Sequence, residues 1–252
     1  MKRLLITCFA LCMSLSTFAQ EAVDFKLNPE VGKPLQLNML IKTDIDGPQS
    51  VIMDMNMKME LHPSKKEDEN FRLENVIKAI KIDINADMNT VSYNSETVST
   101  DETTKMLGEQ FSKIVDQKIS AVITDKGKTI DIDLPSSISS NGFDPSAFTN
   151  ISPSFPDKAV APGESWDNIN EMDDHPFLSK IETVSTYSEE NTEGYVINVA
   201  SKMLDLSGNE IGTVSGNYTL DKETHFTKTS ALKTSVEIQG AKIMKEVEVT
   251  IE

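Results

Sequence analysis

From Val51 to Leu61 the apolar side chains occupy every odd position, and Met53, Met55, Met57 and Met59 are four consecutive members of that stripe. Asp54, Asn56, Lys58 and Glu60 occupy the even positions between them. A period of two is the pattern of a strand with one buried and one wet face. The same alternation precedes it at Val23, Phe25 and Leu27, and again at Leu35, Leu37, Met39 and Ile41. The turns "NPEVGKP" and "DIDGP" and the charged stretch "HPSKKEDEN" punctuate these runs. Phe71 and Leu73 sit on odd positions, but Ile80, Ile82, Ile84 and Met88 on even ones. That phase change near Asn75 predicts a bulge that bends the strand.

One segment has a helical period instead. Met106, Leu107, Phe111, Ile114 and Val115 form a single stripe, with Ser99 and Glu102 spaced as a capping box. This predicts one amphipathic helix near 101–117, followed by the strands "KISAVITD" and "KTIDIDL" across the turn "DKGK". Residues 135–163 are rich in Pro, Ser, Asn and Gly yet carry Phe143, Phe148 and Phe155. A solvated linker has little use for three phenylalanines, so they are expected to fold back as a lid over the concave face near Met106 and Phe111, or to pack on the outside as a static brace between the two parts. Six strands follow, near 164–171, 178–188, 195–205, 211–221, 226–238 and 241–251. The last turns Ala241, Ile243, Val247, Val249 and Ile251 inward and Lys242, Glu246, Glu248 and Glu252 outward, while Lys245 breaks the inward set.

One-sided strands joined by short turns imply antiparallel pairing. With a single helix to cover so many strands, the sheet must curl over its own apolar face. The expected fold is therefore mainly β: a strongly curved antiparallel sheet, a half-barrel or open barrel, with the helix against its concave side. The expected organisation is a leader at 1–19, a strand-rich half with the helix at 20–134, the loop at 135–163 and a meander at 164–252, the whole of 20–252 forming one continuous domain.

The leader reading rests on Lys2 and Arg3, the apolar run Leu4 to Leu15, and the small-residue site Thr17-Phe18-Ala19. It predicts export, to the periplasm or beyond. Both cysteines, Cys8 and Cys12, lie in that leader, so the mature chain has no disulfide. The formal charge of −16 rises further in magnitude when Lys2 and Arg3 are removed. Such a field excludes phosphate-backbone recognition and disfavours an anionic membrane surface, so no nucleic-acid partner is expected.

The chain offers no cysteine nucleophile in its mature part, no G-x-S-x-G, no H-E-x-x-H and no glycine-rich phosphate loop. His62, His175 and His225 fall in expected loops or turns, and Glu171, Asp173, Asp174 and His175 lack the spacing of a cation loop. Neither catalysis nor a cofactor is expected. Trp166, the one tryptophan, begins a strand after "APGES" and is expected to pack on the core. The methionine stripe has three readings: ordinary core, an adaptable apolar wall for greasy ligands, or a soft thioether site for Cu(I). The candidate ligand-binding residues are Met53, Met55, Met57, Met59, Met106, Phe111, Phe143, Phe148 and Phe155.

The order of elements, with "VSYNSE", the helix, "DKGK", "VAPGESW" and a meander carrying "YTLDKETH", resembles uncharacterised secreted domains of Gram-negative bacteria. Those domains are similar to the periplasmic lipoprotein-carrier superfamily, an unclosed barrel around an apolar cavity. The resemblance implies a non-catalytic carrier or binder of an apolar ligand such as a lipid acyl chain. Carriers of that kind use an arginine inside the cavity. The mature chain's single arginine, Arg72, is not matched to it, and lipoprotein trafficking is not carried over. A cell-envelope structural or interaction protein with a filled core is the alternative.

Overall fold

The computed structural model describes residues 21–86, 89–98, 102–136, 151–172 and 175–252. The expected leader, Met88, Ser99, Phe143, Phe148, Asp173 and Asp174 lie outside them. Twelve strands form one antiparallel sheet. The first half holds β1 (Leu35–Asp46), β2 (Val51–Glu67), β3 (Asn70–Ala86), β4 (Asn89–Asn94), β5 (Lys118–Thr124) and β6 (Thr129–Asp133). The second holds β7 (Ser165–Glu171), β8 (Lys180–Glu190), β9 (Tyr195–Leu204), β10 (Glu210–Leu220), β11 (Thr227–Ile238) and β12 (Ala241–Ile251). The order is β6-β5-β3-β2-β1-β12-β11-β10-β9-β8-β7, with β4 beside β3. The sheet is curved and not closed: β6 and β7 are the unpaired ends of this path, and β4 pairs with β3 alone.

The alternation read from the sequence sets the register. In β1 and β2, Leu37, Met39 and Ile41 stand opposite Met59, Met57 and Met55. All six are buried. The phase change in β3 is a bulge at Lys78, since Met57 pairs with Ile80 and Met59 with Ile77. Below it Phe71, Leu73 and Ile77 face the core, and above it Ile80 and Ile82 do. The stretch 62–67, expected as loop, continues β2, so His62 is a strand residue opposite Glu74. The long hairpin carries it, and the ladder shifts register just past Pro63, where an N–H is missing.

The helix, α1, spans Glu102–Phe111 and stops short of 117. Residues 112–116 are turn, and Asp116, at a positive φ of 59°, donates its amide to the Ile77 carbonyl. The predicted stripe is thus only half inward. Phe111 stacks on Tyr93 with ring centroids 6.0 Å apart, and Ile114 is fully buried. Met106 is 69% exposed, because five residues at about 100° each set it roughly 140° around the helix from the buried Phe111.

One end of the curved sheet is plugged with aromatic rings. Val23, Phe25 and Leu27 form no strand of the sheet. Val23 makes an isolated bridge to Val160, and the Leu27 and Asn28 amides donate to the carbonyls of Asp125 and Thr224. This threads Phe25 through the closed end, where its ring lies 5.5 Å from Phe155, 6.4 Å from Trp166, 5.2 Å from Tyr187 and 5.4 Å from Tyr195. Phe155 is buried inside this plug, with its ring partner Phe25 rather than Phe111, and so is neither a lid near the helix nor a brace on the outside. His225 also belongs to the plug and is no ordinary surface turn. Its ring sits 5.3 Å from Phe25, and Nδ1 lies 3.0 Å from the Lys26 backbone.

Two measurements check this packing. Met59→Ala is expected to cost about 2–5 kcal/mol in denaturant unfolding, whereas Met106→Ala should change stability by no more than about 0.5 kcal/mol. Equal effects would refute the division of the two methionines between core and surface.

The plug also predicts a pH response. Burial lowers the His225 pKa below its ordinary 6.5, so the unfolded chain takes up this proton first, and stability must fall as pH drops below about 6.5. Asn tolerates the positive φ of 52° at this position. His225→Asn should therefore flatten the denaturation midpoint between pH 7.5 and 5. Acid loss should then begin only below about 4.5, as the unfolded chain protonates carboxylates that the fold holds low: Glu246 by the Lys233 ammonium, Asp24 by the Lys126 ammonium, Asp83 by the Ser92 hydroxyl and Asp205 by the Asn209 amide. An unchanged slope in the variant would exclude His225 as its source.

Candidate functional site

The two halves of the sheet use their concave faces differently, and the difference can be read across the strands. One transverse row runs Ile80, Met57, Met39, Val249, Ser230, Tyr218, Ile197, Tyr187. The next, further from the plug, runs Ile82, Met55, Ile41, Val247, Leu232, Gly216, Val199, Ser185, Trp166. In each, the first four members are large and aliphatic; beyond them Ser230 in the first row and Gly216 and Ser185 in the second interrupt the larger side chains. The third row is Ile84, Met53, Thr43, Lys245, Thr234, Val214, Ser201, Thr183, Asn168.

Large side chains fill the first half. Met57 and Met59 are 1% exposed and sit in the main core cluster with Phe111 and Ile114. Met53 is half-buried at the margin of that cluster. Smaller side chains leave the second half hollow. A chamber of about 600 Å³ lies between the inner faces of β7 to β11 and the free edge of β6. Its inner wall is Ile181, Thr183, Ser185, Val199, Ser201, Val214, Tyr218 and Leu232, and Ser152, Pro153 and Ser154 border it. None of the stripe methionines lines it, and neither do Met106, Phe111 and Phe155. Of the candidates among the described residues, Met55, Met57, Met59, Phe111 and Phe155 are buried in the core, Met53 lies at its margin and Met106 on the surface.

Two glycines deepen the hollow. A Cβ on Gly212 would come within 2.7 Å of the Ser235 carbonyl oxygen, and one on Gly216 would collide with the Ala231 carbonyl. The close approach of β10 to β11 demands glycine at both positions. The wall between Val199 and Leu232 is bare backbone as a result.

Hydroxyls give the chamber its polarity. Thr183 and Ser201 are paired at 2.8 Å. Ser185 is 2% exposed and Tyr218 7%, and neither hydroxyl has a hydrogen-bond partner among the described residues. Burial pushes the Tyr218 phenol up to about 12, so it stays a neutral donor across the physiological range. Behind the lining, Trp166 holds the bordering segment by donating Nε1–H to the Ser154 carbonyl at 2.8 Å. Such a wall suits an uncharged, largely apolar body with a few polar contacts.

The charged groups singled out from the sequence lie elsewhere. Arg72 is on the opposite face of β3 from Phe71 and Leu73, where Nη1 donates to Ser120 Oγ at 3.0 Å. Among the described residues no three His, Asp, Glu or Cys side chains gather as a metal site. His175 instead receives the amides of Phe177 and Leu178 at Nδ1, a local turn. No helix among the described residues is long and apolar enough to cross a membrane, which says nothing about crossing by strands. What sequence reading missed is the hydroxyl-lined inner face of β8 to β11. Its signal was visible as Thr, Ser and Gly at positions the alternation assigns to the core.

Comparison with known proteins bears on the fold. No protein-family model matches the chain, and no curated protein does. Among solved structures, the chain is similar to a lipovitellin structure described as showing lipid–protein interactions, at 9% identity and a TM-score of 0.54. The match covers 91% of this chain and 25% of that one, so the chain spans about a quarter of its length. Weaker likenesses, each at a TM-score of 0.28, are to an outer membrane lipoprotein-sorting protein domain from Vibrio parahaemolyticus and an outer membrane channel from Pseudomonas putida F1. The first is 11% identical over 87% of this chain and 84% of that one; the second is 5% identical over 92% and 99%. At these identities the likeness is one of fold: a large, curved, mainly antiparallel sheet.

Proposed function

We propose that the chain is an exported, non-catalytic protein that holds an apolar ligand, such as one lipid acyl chain, in the chamber of its second half. The observation that carries this reading is the hollow itself. A sheet whose first half is packed with Met and Ile carries, in the same fold, inner positions held at Gly, Ser, Thr and Val around about 600 Å³. That volume lies inside the range of about 300–1,000 Å³ typical of small-molecule sites. The tight plug at one end and the filled half beside it give the chamber rigid walls. The lipid–protein interactions named for lipovitellin belong to that protein and lend this reading a direction, not a ligand. Export rests on the leader pattern at 1–19. The packed stripe of Met55, Met57 and Met59 speaks for core and against a copper site there.

The expected outcome is that protein purified from its own host carries lipid detectable by native mass spectrometry and solvent extraction. Delipidated protein should bind a fluorescent fatty-acid analogue. Val199→Trp places an indole in the chamber and should abolish that binding while leaving the β-sheet circular dichroism and a cooperative unfolding transition in place. If the folded wild-type protein carries no lipid and binds no analogue, the chamber reading falls. A structural or interaction role with a filled core then takes its place.

A further inference from the structure

Lys245 is the one charged side chain among the residues of the concave-face rows set out above. Register fixes its side. Val247 and Val249, two and four residues on, face inward with Ile41 and Met39. Glu246, its neighbour in sequence, points outward and meets Lys233 at 2.7 Å. A lysine inserted into an otherwise apolar inward alternation breaks the pattern that specifies the strand, and such breaks concentrate at functional sites.

Its surroundings sharpen the point. The chain carries 40 acidic residues against 24 basic ones, and lysines on the outer surface find them readily: Lys202 with Glu210, Lys180 with Glu182, Lys222 with Glu190. Lys245 is half-buried and has no ion-pair or hydrogen-bond partner among the described residues. Directly across the strands on either side stand Thr43 and Thr234. An ammonium flanked by two threonines, in a row walled above and below by aliphatic residues, is a receptor for one anionic head on an apolar tail. A partly desolvated cation left unpaired is costly, and a ligand that supplies its counter-charge removes that cost.

The same row continues into the chamber through Val214, Ser201 and Thr183. Val214 lies two strands from Lys245, about 10 Å along the sheet. The four-carbon stem of lysine and the first part of a ligand chain span that distance together. A single cation matches a single negative charge. This favours a carboxylate over a phosphate monoester, which carries about −1.5 to −2 at neutral pH.

We propose that Lys245, flanked by Thr43 and Thr234, receives the carboxylate of a single-chain amphiphile such as a free fatty acid, its tail lying in the chamber against Leu232 and Val199. This rests on the chamber's being a ligand site, and the test separates the two ideas. Displacement of a fluorescent probe by palmitate and by hexadecanol, an uncharged chain of the same length, is measured for the wild type, Lys245→Met and Lys245→Arg. Wild type should prefer palmitate. Lys245→Met should weaken palmitate by about tenfold or more and leave hexadecanol unchanged, an effect of the size expected for one charge-assisted hydrogen bond. Lys245→Arg, which keeps the charge, should retain most of the preference.

If wild type binds hexadecanol as well as palmitate, or if Lys245→Met binds palmitate undiminished, the carboxylate assignment is overturned while the chamber stands. If wild type binds neither, both fall. Should Lys245→Met unfold, the assignment is judged on the wild-type preference and on Lys245→Arg: no preference for palmitate in either overturns it.

Discussion

The pairing of β1 with β12 is the constraint on which everything else rests. It joins the front of the strand-forming chain to its end through ten successive registers, from Leu37 opposite Ile251 to Asp46 opposite Lys242. Without it β6-β5-β3-β2-β1 and β12-β11-β10-β9-β8-β7 would be two separate sheets, each with its apolar face uncovered. With it the right-handed twist accumulates over the whole path and curls one face inward. The face so enclosed can then be filled on one side and left hollow on the other. Neither β1 nor β12 has any local reason to meet the other, so this contact also carries a large loop-closure cost, repaid only by the burial it allows.

Much of this architecture was legible in the sequence because strict alternation leaves little freedom. The six strands of the second half were bounded to within about two residues, a consequence of one-sided patterns ended by Gly and Asn turns. At Gln239 and Gly240 both φ values are positive, 54° and 80°, as a two-residue hairpin between twisted strands requires. The helix was legible as a stripe but not in its length, since Asp116 breaks the helical φ range for a reason that lies in β3, the Ile77 carbonyl. Residues 62–67 read as loop from their charges. They are strand, because a ladder to β3 overrides composition.

The site was less legible than the fold, and for a physical reason. Sequence patterning reports which positions face inward, but it does not say whether the space in front of them is occupied. Methionine drew attention as an adaptable wall, yet its long side chain helps to fill the first half: Met57 and Met59 are buried in the same core cluster as Phe111 and Ile114. Hollowness comes from the opposite choice, short side chains at Gly216, Ser185, Ser201 and Val214. A run of small residues in an alternating strand resembles weak β propensity and attracts no notice. Its meaning appears only when the register lines up the small residues of neighbouring strands.

The free edges complete the argument. Ten antiparallel steps separate β6 from β7, so the two run in the same direction across the gap. The chain between them must therefore return from the end of β6 to the start of β7. Its described part, 151–163, does so through the closed end, with the Phe155 amide donating to the Lys126 carbonyl. Above that point the edges stay apart, with Ile130, Ile132 and Ile169 exposed along them. Unpaired edges invite association with a second copy. Here Asp131 and Asp133 lie on one and Asp167 and Glu171 on the other, and charged side chains on an edge strand discourage pairing with a further strand. Among the described residues the two edges stay unpaired beside the chamber, and the aromatic plug and the packed methionine half hold the sheet around it.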